Sequence, residues 1–384
     1  MSSRTPVIAG IGLSTMTGSS GLTARGHHVL AMQRALADAG VTLDEVDGYA
    51  NGDIKIADMA EYLGIRYRWL DGTSVGGSSA EYLLQHAAAA IRSGDADVIL
   101  LTYGSDQLSA RGRGLGTGVL PFAQEAATYG AFEAPFGNPL VGAYAMAARR
   151  HMHDYGTTSE QLAEIAVAAR MYAALNPDAM YREPLTVSDV LSSRLIADPL
   201  HKLDCCVVSD GGAAVLVTSE ERAKDLRRPP IYIAGAAVGQ THWNISQMSD
   251  FTRPAARDVV RRAYGLAGIG PSDVDLTMAY DSFTITALLL LEAAGFCEPG
   301  EGGELVETGA LRPGGSLPFN TDGGGLSAIH PGMRGMFLLT ESVRQLRGEA
   351  GAAQIPDARV ALAIGSGGTL STMGATILST ERPA

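Results

Sequence analysis

Short apolar runs punctuated by glycine alternate along this chain with segments of helical periodicity. The first run, Val7-Ile8-Ala9-Gly10-Ile11-Gly12, reads as a strand, and residues 28–39 read as the helix that follows it. A helix end, a turn and a second short strand are written in residues 39–51, around Glu45-Val46-Asp47. Residues 95–105, centred on Val98-Ile99-Leu100-Leu101, form a continuous apolar run of the kind that makes a strand buried on both faces. The same order returns after about residue 228. Ile231-Tyr232-Ile233-Ala234-Gly235 repeats the opening strand, and residues 266–280 repeat the 39–51 block, with Asp273-Val274-Asp275 standing for Glu45-Val46-Asp47. Residues 357–367 repeat 95–105. The duplication predicts two halves, 1–227 and 228–384, each a mostly parallel sheet with helices on its faces. Ligands of such sheets collect outside the carboxyl ends of the strands.

Residues 111–200 belong to neither copy. They carry Gly112, Gly114, Gly116 and Gly118 in alternation, then Pro135-Phe136-Gly137-Asn138-Pro139, then helical patterns over 141–153 and 159–174, the second capped at Ser159-Glu160-Gln161. An excursion of this length covers a site, makes an interface or forms a plain surface subdomain.

Composition narrows the function classes. A chain of 384 residues can bury a large core. Its formal charge of -12 excludes an extended surface for nucleic acid, although a local basic pocket for a nucleotide is compatible with it. No apolar run approaches the roughly 20 residues of a membrane span, and residues 1–6 are too short and polar for a secretion signal. The three cysteines, two of them adjacent at Cys205 and Cys206, make neither a disulfide framework nor a zinc pattern. A cytoplasmic protein without a metal is the expectation.

Four stretches carry candidate chemistry. Asn320-Thr321-Asp322-Gly323-Gly324-Gly325 leads through Leu326-Ser327-Ala328-Ile329 to His330-Pro331-Gly332-Met333-Arg334-Gly335, ahead of a helix over 335–347. Three glycines remove Cβ atoms where a backbone takes positive φ or lets a ligand approach, and His330 titrates near neutral pH. Either this loop presents His330 at a site, or the histidine merely caps the next helix. Tyr280-Asp281-Ser282-Phe283 precedes an apolar helical run over 284–294. A phenol there donates a hydrogen bond or accepts a proton, or it simply packs. Thr73-Ser74-Val75-Gly76-Gly77-Ser78-Ser79 leads into a helix with Leu83, Leu84, Ala87, Ala90 and Ile91 on one face. Ile364-Gly365-Ser366-Gly367-Gly368-Thr369 follows the last apolar run, as an anion-binding turn or as an ordinary strand-to-helix turn.

These stretches together resemble the thiolase superfamily over nearly the whole chain. The loop ending in His330 resembles its Asn-x-x-Gly-Gly…Gly-His-Pro-x-Gly motif, with Ile329 in place of a glycine. The resemblance implies an α/β thiolase fold, with duplicated βαβαβαββ halves in a five-layered αβαβα arrangement and a loop domain at about 111–200. It also places the family's nucleophilic cysteine at Gly76 and its second cysteine at Gly365, so neither thiol is present. The Asn-Glu-Ala-Phe motif falls on Tyr280-Asp281-Ser282-Phe283. The segment Asp198-Pro199-Leu200 through Cys205-Cys206 to Ser209-Asp210-Gly211 resembles the sterol-carrier and lipid-transfer branch, where it enters a core strand. Adjacent cysteines on a strand face opposite ways, and packing is the expected role of both.

Claisen thiolysis needs a thiol, whereas retro-aldol cleavage needs a base for a β-hydroxyl and a cradle for an enolate oxygen. The resemblance to the cysteine-less aldolases of that branch implies cleavage of a bulky 3-hydroxyacyl-CoA, such as a steroid side-chain thioester, to a ketone and a shortened acyl-CoA. Tyr280 and His330 are the expected catalytic pair, and Gly76, Ser366, Gly367 and Gly368 are the expected oxyanion and substrate-binding positions. No cofactor beyond the CoA of the substrate is implied. The expected assembly is a homodimer extended by a small OB-fold, zinc-ribbon partner into a heterotetramer. An acyltransferase and a non-catalytic acyl-CoA or lipid-binding subunit are the alternatives.

Overall fold

The two copies are held together internally by the same aspartate. Asp47 accepts hydrogen bonds from the Asp97 and Val98 N–H groups at 2.9 and 2.8 Å, and Asp275 accepts from those of Arg359 and Val360, both at 2.8 Å. A 3₁₀ turn precedes each, Leu43–Glu45 and Pro271–Asp273. The repeated tripeptide therefore marks where the second strand of each half is tied to the start of the long apolar strand beside it.

The computed structural model describes residues 4–15, 18–110, 133 and 140–383. The expected glycine alternation at Gly112, Gly114, Gly116 and Gly118, and the motif from Pro135 to Pro139, lie outside the described residues. The first half runs β1 (Pro6–Leu13), α1 (Ala24–Ala39), β2 (Gly48–Ala50), α2 (Ile56–Leu63), β3 (Trp69–Asp71), α3 (Ser79–Ser93) and β4 (Val98–Ser105). The excursion supplies α4 (Leu140–Tyr155) and α5 (Ser159–Leu175) before the chain returns as β5 (Gly211–Ser219). The second half runs β6 (Ile231–Gln240), α6 (Ala256–Ala267), β7 (Leu276–Ala279), α7 (Thr284–Ala293), α8 (Gly335–Leu346), β8 (Val360–Gly367) and β9 (Thr372–Ser379). Helix α1 begins earlier than periodicity suggests because Thr23 caps it, accepting from the Gly26 N–H.

Among the described residues nine strands join in the order β3-β2-β4-β5-β1-β6-β9-β8-β7, a mirrored pair of half-sheets. They meet where Val7 and Ile8 of β1 pair with Tyr232 and Ile231 of β6. The expectation of mostly parallel halves is corrected. Only β2–β3, β2–β4 and β7–β8 are parallel, and the other neighbours are antiparallel. The connection through residues 368–371 is too short for a crossover, so β9 has to run antiparallel to β8. The second half also shortens its pattern. Where the first half has β3, the second keeps an isolated parallel bridge between Thr277 and Phe319.

Helix α1 packs on β1, β4 and β5, and α6 packs on β6 and β9. Helices α3 and α8 touch strands of both halves and each other, which makes them the middle layer of a five-layered αβαβα stack. Leu83, Leu84, Ala87, Ala90 and Ile91 of α3 are all buried there. Among the described residues no helix is long and apolar enough to cross a membrane.

Candidate active site

Strand β7 stops at Ala279, and Tyr280 is the first residue beyond its carboxyl end. The Tyr280 N–H donates to the Ile364 carbonyl at 2.9 Å, which keeps it in register with β8. Its phenol Oη and His330 Nε2 share a hydrogen bond at 3.0 Å, with the rings edge-on at 90° and both side chains buried. Two residues 50 apart in sequence meet because an ion-pair cluster bolts their segments together. Asp281 accepts from the Gly325 N–H at 2.7 Å and the Leu326 N–H at 3.2 Å. Fully buried Arg334 reaches Asp322 Oδ1 at 2.6 Å and Asp281 Oδ1 at 3.3 Å, and donates to the Ile329 carbonyl at 3.3 Å. The His330 N–H donates to Ser209 Oγ at 3.1 Å.

The glycine run has a different visitor from the one expected. Gly324 has φ +70, and a Cβ on it would lie 3.1 Å from Asp281 Cγ, with Oδ2 nearer still. What approaches this backbone is the chain's own carboxylate. The excursion holds the loop from outside, since the Met180 and Tyr181 N–H groups donate to the Ala328 and Ser327 carbonyls, and Arg170 donates to Ser327 Oγ.

Burial sets the protonation of the pair. Desolvation, with the positive charge of Arg334 beside it, lowers His330 to about 4, so the imidazole is neutral at pH 7. Desolvation, reinforced by Cys206, Tyr103 and Tyr144, raises the Tyr280 phenol well above its ordinary value, so it keeps its proton. Burial pushes Asp281 up to about 6, against the pull of Arg334 and two N–H donors. It is ionised at pH 7 and completes the ion pair.

The N-terminus of α3 closes the site from the other half. Gly76 has φ +74, and a Cβ there would stand 2.8 Å from Gly368 N. A Cβ on Gly77 would stand 2.5 Å from Tyr280 Cζ, with Cε2 and the Ser366 carbonyl nearer still. These two glycines make the room that the Tyr280 ring and the Gly367–Gly368 backbone occupy. Gly365, Ser366 and Gly367 are the last residues of β8, and the turn after them leads to strand β9, where a helix was one of the two readings. Ser366 Oγ is buried and has no hydrogen-bond partner among the described residues. Tyr144 of α4 donates to the Gly368 carbonyl at 3.2 Å and packs its ring 4.4 Å from that of Phe283. Tyr103 of β4 donates to the Pro331 carbonyl and accepts from the Met333 N–H at 3.0 Å.

Tyr280 and His330 are thus brought into contact, Gly77 lies against Tyr280 and the Ser366 carbonyl, and Gly76 lies against Gly367 and Gly368. Cys205 and Cys206 are not on a strand. They precede β5 in irregular chain, Cys205 bridging Phe283 and Cys206 donating its N–H to the Ser282 carbonyl at 2.9 Å. The backbone here follows the Tyr280–Phe283 segment, so strand alternation does not apply. Burial pushes the Cys205 thiol up to about 12 and Cys206 higher, which leaves both as thiols. Sequence reasoning missed Gly77, Tyr103 and Tyr144. Asp281, Asp322 and Arg334 stand in two of the candidate stretches, and three charges within short apolar-flanked segments were a usable signal for the one cluster they form. Among the described residues no group of three or more His, Cys, Asp or Glu could hold a metal ion.

Comparison with known proteins agrees with this architecture. The "Thiolase C-terminal domain-like" family model matches residues 237–380. A steroid side-chain-cleaving aldolase of Thermomonospora curvata is 38% identical over 355 residues, spanning 89% of this chain and 90% of that one. The 17-hydroxy-3-oxo-4-pregnene-20-carboxyl-CoA lyase of Mycobacterium tuberculosis is 36% identical over 356 residues, spanning 89% of this chain and 91% of that one. The solved structure "Ltp2-ChsH2(DUF35) aldolase" matches with a TM-score of 0.89 at 35% identity, over 99% of this chain and 98% of that chain. With its mirrored half-sheets, its shared middle helices and these relatives, this chain belongs to the thiolase superfamily, in the lipid-transfer branch that holds the steroid side-chain-cleaving aldolases.

Proposed function

We propose that this chain is a carbon–carbon lyase that cleaves a 3-hydroxyacyl-CoA by a retro-aldol reaction, with a steroid side chain as the acyl group. The observation that carries the reading is the neutral Tyr280–His330 pair at the carboxyl end of β7, in a site with no thiol at either family position. The phenol oxygen takes the substrate's hydroxyl proton as its own proton passes to His330 Nε2. The Cα–Cβ bond then breaks, the β-carbon leaves as a ketone, and the bond pair forms the thioester enolate. Backbone N–H groups of the Gly367–Gly368 turn and the positive end of α3 receive the enolate oxygen, with Gly76 letting these two backbones close on one another and the unpartnered Ser366 Oγ available to the acyl group. Protonation of Cα gives the shortened acyl-CoA. CoA enters as part of the substrate, and the relay uses no other cofactor.

Relatives of this chain carry names of aldolases and lyases, and the solved relative is a two-protein complex. Those names support the steroid acyl group. The complex supports a partner for this chain, which we take to be a small OB-fold, zinc-ribbon protein on a homodimer, in the cytoplasm. Tyr280→Phe tests the reading, because it removes the proton relay and leaves the ring's packing. Turnover is lost while acyl-CoA binding stays. A silent substitution would favour a binding subunit instead.

A further inference from the structure

Helix α3 brings one more ionisable group into the core. Glu81 lies on its first turn, at helical spacing from Leu84 and Ala88 in the buried stripe, and is itself fully buried. Among the described residues neither of its carboxyl oxygens has a hydrogen-bond partner. The space it fills is made by glycines on three other elements. A Cβ on Gly365 would lie 2.8 Å from Glu81 Oε1, with Oε2 nearer still. One on Gly335 would lie 2.9 Å from Oε2, and one on Gly374 would collide with the side chain's base.

This location adjoins the Tyr280 site. Gly365 sits between Ile364, whose carbonyl holds the Tyr280 backbone, and Ser366, whose carbonyl lies against Gly77. A small cavity lined by Gly76, Gly77, Ala80, Tyr103, Met333 and Gly335 meets this neighbourhood at Gly77 and Gly335. A buried carboxyl with no counter-charge is held in its neutral form, and burial raises Glu81 well above the usual carboxylate range against the opposing pull of its own backbone N–H. Tyr280 and His330 act as acceptors when the hydroxyl proton leaves. The reaction also needs a donor, because cleavage leaves an electron pair on Cα.

We propose that Glu81, as a neutral carboxylic acid behind Gly365, is the proton donor to the enolate carbon. The inference rests on the retro-aldol reading. The Glu81 O–H bond breaks, its proton forms the new Cα–H bond, and a carboxylate remains. The proton taken from the hydroxyl by Tyr280 and His330 restores the acid before the next turnover, so no co-reactant is consumed.

The test follows deuterium entry at Cα of propionyl-CoA in D₂O, read by mass spectrometry, beside cleavage of a 3-hydroxyacyl-CoA. The wild-type protein incorporates deuterium through the fraction of Glu81 that is a carboxylate, whereas Glu81→Gln, which keeps the shape of the neutral acid, loses exchange at least 100-fold. Exchange at the wild-type rate in folded Glu81→Gln overturns the proposal. If Glu81→Gln does not fold, Glu81→Asp draws the acid back by one methylene and exchange falls at least tenfold; unchanged exchange in that variant overturns the proposal as well. Wild-type protein that exchanges but does not cleave, with exchange lost in Glu81→Gln, supports the acid and removes the lyase reading.

Discussion

A single methyl group added at Gly77 tests whether packing sets the geometry of the Tyr280–His330 pair. Gly77 is not in the left-handed region, so Gly77→Ala acts through contact alone. The new Cβ would stand 2.5 Å from Tyr280 Cζ. Carbon atoms in contact settle near 3.5 Å, so the ring and the methyl have to part by roughly 1 Å. The phenol lies 3.0 Å from His330 Nε2, and a shift of that size along the contact takes the pair out of hydrogen-bond reach. Misplacement of a catalytic group by about 1 Å costs on the order of 10²-fold in rate, and overpacking a core costs about 1–3 kcal/mol of stability. Ketone release measured under saturating substrate gives the first quantity, and thermal denaturation gives the second. In a Tyr280→Ala background the ring is gone, so the same methyl should be better tolerated by at least about 1 kcal/mol, as expected for residues in contact. A Gly77→Ala protein with wild-type turnover and wild-type stability would refute the account of why two glycines precede α3.

Three further outcomes follow from the same geometry. The unfolded chain binds a proton at His330 near pH 6.5 and the native chain only near 4, so stability from this group is complete above pH 6.5. It is lost as the pH falls toward 4, by about 3 kcal/mol; urea unfolding at several pH values should show this loss in the wild-type protein and not in His330→Gln, and parallel curves would contradict it. Arg334→Met leaves Asp281 and Asp322 buried without a counter-charge and should cost about 3–5 kcal/mol in thermal denaturation, partly recovered by adding Asp281→Asn. Cys206 is half-buried and its thiol is pushed well above the ordinary value, so Cys206→Ala should keep most of the cleavage rate and iodoacetamide should inactivate the native protein only slowly at neutral pH; rapid inactivation through Cys206 would restore a role for a thiolate.

The duplication was legible because it is written in side chains that do identical work. Asp47 and Asp275 bind the same backbone positions in the two halves, and the long apolar runs became β4 and β8. Strand direction was not legible, since a strand buried on both faces reads as the same apolar run whichever way its neighbours point. The reduction of the third strand to Phe319 was hidden for a related reason: a single bridge needs no run at all. In the site, the pairing of Tyr280 with His330 came from resemblance, and periodicity alone would have left both as packing residues. The glycines at 323–325 announced a close approach without saying by what, because space left for Asp281 and space left for a ligand look alike in sequence. Tyr103 and Tyr144 sit in an ordinary strand run and in the excursion, with no local signal. Glu81 did carry one, a carboxylate in register with Leu84 and Ala88 on an apolar stripe.

The central claim is that this site breaks a carbon–carbon bond without a thiol. The most direct measurement is mass spectrometry of the products formed by the purified chain, alone and with a small OB-fold partner, from a steroid 3-hydroxyacyl-CoA bearing a tertiary hydroxyl. Equal amounts of ketone and shortened acyl-CoA in the absence of free CoA are the predicted result. Product that forms only when free CoA is supplied would contradict the account and return the chain to thiolytic chemistry.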